Sequence, residues 1–156
     1  MKALVVTVST RAATGVYEDR GGPVARDGLR ELGFEVDGPQ VVPDGDPVET
    51  ALRAAAATGY DLIVTTGGTG LTPGDRTPEM TGRVVDREIP GLAEAIRRRG
   101  AEEGVPTAVL SRGIVGLAGT TLIVNLPGSP GGVRDGISVL SGVLEHAVDQ
   151  AHGGDH

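Results

Sequence analysis

Asp-Leu-Ile-Val-Thr-Thr-Gly-Gly-Thr-Gly, residues 61–70, joins an apolar segment directly to a glycine-rich loop. The run Asp61–Thr66 predicts a β-strand, and Gly67–Gly70 follow it without a break. Working outward, Lys2–Ser9 is a run rich in β-branched residues, typical of a strand buried on both faces of a parallel sheet. Thr120–Leu126 predicts a further apolar strand. These runs favour a parallel sheet with loops at its strand ends.

Helical segments separate the predicted strands along the whole chain of 156 residues. Such alternation predicts an α/β fold, a three-layer α/β/α single domain over residues 1–156 with a mostly parallel sheet. We expect a helix from Thr77 to about Glu88, a strand over Val105–Leu110, and one final helix that opens at Ser129-Pro130 and reaches Ala151.

The composition excludes several classes of function. The net charge of −7 argues against a general nucleic-acid binder, which needs a basic surface. The absence of cysteine excludes disulfides, thiolate nucleophiles and cysteine-bound metals. No apolar run reaches the length of a membrane span, so we expect a cytoplasmic protein.

Three predicted helices begin with a polar residue followed by proline: Asp46-Pro47, Thr77-Pro78 and Ser129-Pro130. Each follows a strand and a loop, so the three starts are expected at the carboxyl edge of the sheet, where α/β proteins bind ligands. Helix N-termini present free N–H groups to anions, although such caps start helices in most proteins. The glycine-rich loop that precedes Thr77 can cradle phosphate. It is not a P-loop, because it does not end in Gly-Lys-Ser/Thr.

Two acidic residues, Asp44 and Asp75, lie in loops predicted at this edge. Two carboxylates can share a hard cation such as Mg²⁺, which fills its remaining positions with water and phosphate oxygens. Alternatively, each is an ordinary turn residue. Arg112, in the pair Ser111-Arg112, is a candidate phosphate donor. Asn125, at the end of a strand, could orient a base or ribose, or make an ordinary side-chain bond.

Several motifs together resemble the MogA/MoaB family of molybdenum cofactor biosynthesis. The carriers are the segment 66–79, Thr-Gly-Gly-Thr-Gly-Leu-Thr-Pro-Gly-Asp-Arg-Thr-Pro-Glu, and the segment 125–130, Asn-Leu-Pro-Gly-Ser-Pro. Val5–Arg11 and Gly15–Arg20 resemble the first strand and loop of the family. The similarity covers almost the whole chain, in the order that the family has.

The resemblance implies an adenylyltransferase that uses Mg²⁺ and ATP. The implied reaction adenylylates molybdopterin and releases pyrophosphate. A homo-oligomer, trimer or hexamer, is implied as well, with the downstream molybdenum-insertion protein as a possible partner. Asp44 and Asp75 align with catalytic, metal-holding carboxylates of the family. The implied nucleotide- and molybdopterin-binding residues are Ser9, Arg11, Gly67, Gly68, Thr69, Gly70, Thr77, Ser111, Arg112, Asn125, Pro127, Gly128 and Ser129.

The chain departs from the family pattern at two positions. Thr10 stands where many members have Asp, and Gly74 stands where many have Arg. Two other functions are therefore considered: a pterin-binding or carrier module without catalysis, and a nucleotide-binding module like the related domain of the CinA proteins.

Overall fold

The computed structural model describes residues 1–155 and contains a six-stranded sheet. The strands are β1 (Lys2–Val8), β2 (Glu35–Val42), β3 (Leu62–Thr66), β4 (Arg87–Glu88), β5 (Val115–Ala118) and β6 (Thr121–Leu126). Their order across the sheet is β2-β1-β3-β6-β5-β4. The pairs β1–β2, β1–β3 and β3–β6 are parallel, whereas β4 and β5 add an antiparallel edge. The predicted mostly parallel α/β sheet is confirmed.

Helices cover both faces of this sheet. They are α1 (Thr10–Ala13), α2 (Gly21–Glu31), α3 (Asp46–Thr58), α4 (Thr77–Gly82), α5 (Pro90–Glu102), α6 (Pro130–Leu140) and α7 (Leu144–Ala151), with a 3₁₀ helix at Pro106–Leu110. No helix within residues 1–155 is long and apolar enough to cross a membrane.

Two apolar clusters, one on each face, make the core because side chains alternate along the central strands. On β3, Leu62 and Val64 pack into the cluster that contains residues of α2, α5, α6 and α7. Ile63, between them, packs into the opposite cluster with Leu52 of α3 and Met80 of α4. The burial of both faces explains why the central strands read as continuous apolar runs.

Three predicted elements are wrong. The helix from Thr77 is only α4, six residues long, and the chain then forms the short edge strand β4. Val105–Leu110 was expected to be a strand, but Pro106–Leu110 is a 3₁₀ helix outside the sheet. None of its residues is buried, although most of them are apolar. The final helix is two helices, because the chain leaves α6 after Leu140 and restarts at Leu144.

Candidate active site

Four loops meet at the carboxyl edge of the parallel strands. They follow β2 (with Asp44), β1 (with Ser9), β3 (Gly67–Gly70) and β6 (Pro127–Ser129), and these strands are neighbours in the sheet. The sheet hydrogen bonds continue into the loops: Gly67 N–H donates to Leu126 O at 3.0 Å, and Ser9 N–H donates to Val42 O at 2.9 Å. The loops are therefore fixed by the strands that they follow.

Two cavities of about 410 Å³ each open beside the loop Gly67–Gly70, which we call the glycine loop. We name the first the Thr69 cavity; its wall includes Thr69, Gly70, Ser111, Pro127 and Ser129. We name the second the Ser9 cavity; its wall includes Ser9, Thr66, Gly67, Gly128 and Ser129. Ser129 contributes to both walls, so two ligands bound in these cavities would approach each other at this residue.

Asp44 is held in place by its neighbour across the edge, Thr10. The Asp44 Oδ2 atom accepts hydrogen bonds from Thr10 Oγ1 at 2.9 Å and from Thr10 N–H at 3.2 Å. In return, the Asp44 N–H donates to Thr10 Oγ1 at 3.1 Å. The Oδ1 atom of Asp44 has no hydrogen-bond partner among residues 1–155 and lies next to Gly68.

Asp75 is held at the far end of the same loop. Its Oδ2 atom accepts from Thr72 N–H at 3.2 Å, while Asp75 N–H donates to Thr72 O at 2.8 Å. A Cβ atom built on Gly70 would lie 2.8 Å from Asp75 Oδ2. Both predicted carboxylates therefore lie against the glycine loop, although at different glycines.

The glycines let the carboxylates approach the backbone this closely. A Cβ atom on Gly68 would lie 3.1 Å from Asp44 Oδ1, and the φ of +69° at Gly68 is a conformation that other residues rarely adopt. A side chain at Gly68 would collide first with the Thr77 hydroxyl and then with Asp44, and one at Gly70 would displace the Asp75 carboxylate. The glycines of this loop are explained by the close approach of neighbouring side chains. They do not belong to a P-loop, since the lysine of that motif is absent.

The donor set fits a magnesium ion held partly by substrate. Each carboxylate keeps one oxygen without a hydrogen bond to residues 1–155, and Mg²⁺ binds through one or two carboxylates plus water and phosphate oxygens. The described residues contain no group of three or more acidic or histidine side chains that could hold a metal alone. The residues therefore suit an open site rather than a closed protein cage.

Arg112 reaches the glycine loop from the segment before β5. Its three guanidinium nitrogens donate to Gly70 O, to Asp75 O and to the Glu79 carboxylate at 2.7–2.9 Å. The hydrogen bond to Glu79 raises the pKa of Arg112 above its ordinary value, so the guanidinium stays charged. Arg112 was predicted to donate to phosphate; three of its five N–H groups bond to the protein, and one N–H on each Nη nitrogen remains.

The predicted site residues that line neither cavity are Arg11, Asp44, Gly68, Asp75, Thr77, Arg112 and Asn125. Asn125 is buried, and its amide bonds to Thr65, Thr81 and the Ile114 N–H, so ligand contact would require breaking these bonds. Arg11 is exposed on α1 and lines neither cavity. Thr77 does not cap α4; its buried hydroxyl donates to Gly67 O at 2.9 Å and so supports the glycine loop from below.

Sequence reasoning missed residues that line the cavities. Arg97 of α5 lines the Thr69 cavity and donates to Gly113 O at 2.8 Å. Tyr17 and Arg20 line the Ser9 cavity, with the guanidinium 5.9 Å from the centre of the ring. The hydrophobic spacing of α5 could have indicated Arg97, since this residue lies four positions after the buried Ala93 and three before the buried Gly100.

A comparison with protein families finds one match, over residues 4–146, to a family described as the probable molybdopterin binding domain. The chain is 38% identical to the molybdopterin adenylyltransferase of Haemophilus influenzae, over 93% of this chain and 74% of that protein. It is 37% identical to a molybdenum cofactor biosynthesis bifunctional protein of Synechococcus elongatus, over 99% of this chain. The chain spans about half (48%) of that bifunctional protein.

Solved structures show the same fold. The molybdopterin biosynthesis Mog protein of Mycobacterium ulcerans is 56% identical, with a TM-score of 0.91 over 96% of this chain and 98% of that chain. MoaB of Thermus thermophilus is 44% identical, with a TM-score of 0.90 over 97% of this chain and 96% of that chain.

Proposed function

Because the chain belongs to the MogA/MoaB family of molybdenum cofactor biosynthesis, we propose that it is a molybdopterin adenylyltransferase, which transfers the adenylyl group of ATP to molybdopterin. The observation that carries the proposal is the placement of Asp44 and Asp75 against one glycine loop, of which Gly67 lines one cavity and Thr69 and Gly70 line the other. Two cavities that share Ser129 as a wall residue suit a reaction between two bound molecules.

The proposed reaction is a displacement at phosphorus. An oxygen of the terminal phosphate of molybdopterin forms a bond to the α-phosphorus of ATP, and the bond from that phosphorus to the bridging oxygen breaks. Pyrophosphate takes the electron pair of the broken bond and leaves. Such transfers need little covalent work from a protein, so positioning and neutralisation of charge carry the catalysis.

The chain itself supplies the positioning. The N–H groups of Gly68, Thr69 and Gly70 make no hydrogen bond within residues 1–155 and could donate to phosphate oxygens, while Ser129 caps α6 by accepting from Gly132 N–H at 3.1 Å. Asp44 and Asp75 would hold Mg²⁺, which when bound offsets the charge of the phosphates. The net charge of −7 repels anionic substrates, so local cations such as Arg97 and Arg20 are needed near the cavities.

The proposal is tested by incubating the purified protein with molybdopterin, ATP and Mg²⁺. We expect adenylylated molybdopterin, detected by mass, and an equal amount of pyrophosphate. A sample with excess chelator should form neither product. Pterin binding without pyrophosphate release would instead support a carrier module, and nucleotide binding without pterin binding would support a module like that of the CinA proteins.

A further inference from the structure

One arginine holds together a loop that has no regular structure of its own. Between β3 and α4 the backbone of residues 67–76 forms neither helix nor strand. Arg112, more than thirty residues further along the chain, bonds to this loop at both ends. Its backbone N–H donates to Thr69 O at 2.8 Å, and its Nε donates to Gly70 O at 2.9 Å.

The other two guanidinium nitrogens bind the far end of the loop and the helix beyond it. Nη2 of Arg112 donates to Asp75 O at 2.7 Å, and Nη1 donates to Glu79 Oε2, in α4, at 2.7 Å. The planar fork therefore spans the beginning of the loop, its end and α4 at once. A lysine has one donor centre on a flexible stem and cannot bridge three separated acceptors in this way.

These contacts place the carboxylate of Asp75. Its backbone carbonyl is bound by Arg112, and its side chain accepts from Thr72 N–H within the same loop. When the loop shifts, the carboxylate shifts with it. A misplacement of about 1 Å is enough to lower a rate about a hundredfold when catalysis depends on position.

We propose that Arg112 is a positioning residue of the adenylyl transfer: it fastens the glycine loop to α4 and so fixes Asp75, rather than binding substrate phosphate itself. This inference rests on the proposed function for its kinetic consequence, but its structural part stands on the loop alone. The two roles predict different results for the same variants.

The experiment compares Arg112→Lys and Arg112→Ala with the unmodified protein. Arg98→Ala is the control, because Arg98 is exposed on α5 and makes no ion pair within residues 1–155. Hydrogen exchange is measured on a peptide that covers residues 69–77, without substrate. We expect both Arg112 variants to exchange there at least about tenfold faster, while the control matches the unmodified protein. Glu79→Gln, which retains the contacts to the loop carbonyls, should give a smaller increase.

The kinetic measurement separates positioning from direct contact. With the loop loosened, kcat is expected to fall about a hundredfold in Arg112→Lys, and KM for ATP is expected to change less than about threefold. Normal loop exchange in Arg112→Lys, together with a raised KM for ATP and an intact kcat, would overturn the proposal in favour of a phosphate contact. If the unmodified protein forms no pyrophosphate, the proposed function fails, and the exchange of the loop still decides whether Arg112 fastens it.

Discussion

At the scale of single residues, the candidate site depends on small polar groups that hold two carboxylates in place. Asp44 is fixed by the hydroxyl and N–H of Thr10, and Asp75 by the N–H of Thr72. The spacing of these acids in the sequence, 44 and 75, says nothing about their proximity. They meet the same glycine loop because β2 and β3 are both neighbours of β1 and end at the same edge of the sheet.

We predict that Asp75→Asn lowers turnover at least about a hundredfold, the scale expected when one main electrostatic stabiliser is lost. The amide keeps the shape of the side chain but removes the charge that would hold Mg²⁺. The rate of pyrophosphate release measures the effect. Asp27→Asn, on the exposed surface of α2, is the matched control and should retain full activity. Near-normal product formation by Asp75→Asn would contradict the role.

Thr10 has a consequence for metal binding, because its hydroxyl donates to the Asp44 carboxylate. Thr10→Val preserves the branched shape and removes this hydroxyl, and one hydrogen bond is worth about 1 kcal/mol. We predict that the Mg²⁺ concentration for half-maximal activity rises roughly fivefold. Thr10→Ser, which restores the hydroxyl, should return it to the value of the unmodified protein. An unchanged Mg²⁺ requirement in Thr10→Val would show that the hydroxyl does not position Asp44.

At the scale of elements, α4 is short yet firmly joined to its surroundings. Thr77 bonds to the glycine loop, Glu79 pairs with Arg112, and Met80 is buried in the core. Arg83, the first residue after α4, pairs with Glu49 of α3 at 3.1 Å. Glu49 also pairs with Arg53 of its own helix at 2.9 Å. The ion pairs of Glu49 with Arg53 and Arg83 thus link α3 to the end of α4, the helix that follows the loop containing Asp75.

This arrangement predicts a dependence of stability on pH. The hydrogen bonds from Arg53 and Arg83 lower the pKa of Glu49 from its ordinary value of 4.5. A lowered pKa in the folded protein means that the contribution to stability is present above pH 4.5 and is lost as the pH falls through the folded-state pKa. We expect Glu49→Gln to have a lower Tm than the unmodified protein at pH 7. The decrease should be small, because exposed ion pairs contribute little to stability.

The difference in Tm between the two proteins should shrink as the pH is taken below 4. Thermal unfolding followed by circular dichroism at pH 7, 5 and 3.5 measures it. A difference in Tm that stays constant over this range would show that the ionisation of Glu49 does not contribute.

At the scale of the whole molecule, the sheet order places four loops side by side, and a partly apolar hollow opens between α5, α6 and α7. Three valines of the final helical segment, Val139, Val143 and Val148, differ in their surroundings. The structure places Val148 in the core and packs Val139 against it, while Val143 is 40% exposed. Val143 lines a hollow of about 590 Å³ together with Leu92 and Ala147.

We propose, as the family resemblance implies, that the protein is a homo-oligomer. Native mass spectrometry should give a mass of three or six times that of the 15.8 kDa chain. A single species at the mass of one chain, at concentrations where the protein is active, would contradict this expectation.

Much of the fold was determined by the sequence alone, since the apolar runs of β1, β3 and β6 can be buried only between two layers of helices. The glycine loop and the two acids were also found in the sequence, because close backbone approach demands glycine and a hard cation demands carboxylate. The sequence pattern gave a wrong prediction where apolar residues are not buried, as in the 3₁₀ helix Pro106–Leu110.

Only the tertiary structure decided which groups are free to act. The amide of Asn125 and the guanidinium of Arg112 have the chemistry of ligand-binding groups, yet both are bonded to the protein's own backbone and side chains. Each internal hydrogen bond occupies a donor that a ligand could otherwise use, and these bonds take three of the five N–H groups of Arg112. Which donors are occupied depends on residues distant in the chain, whose positions follow from the packing of the sheet and helices.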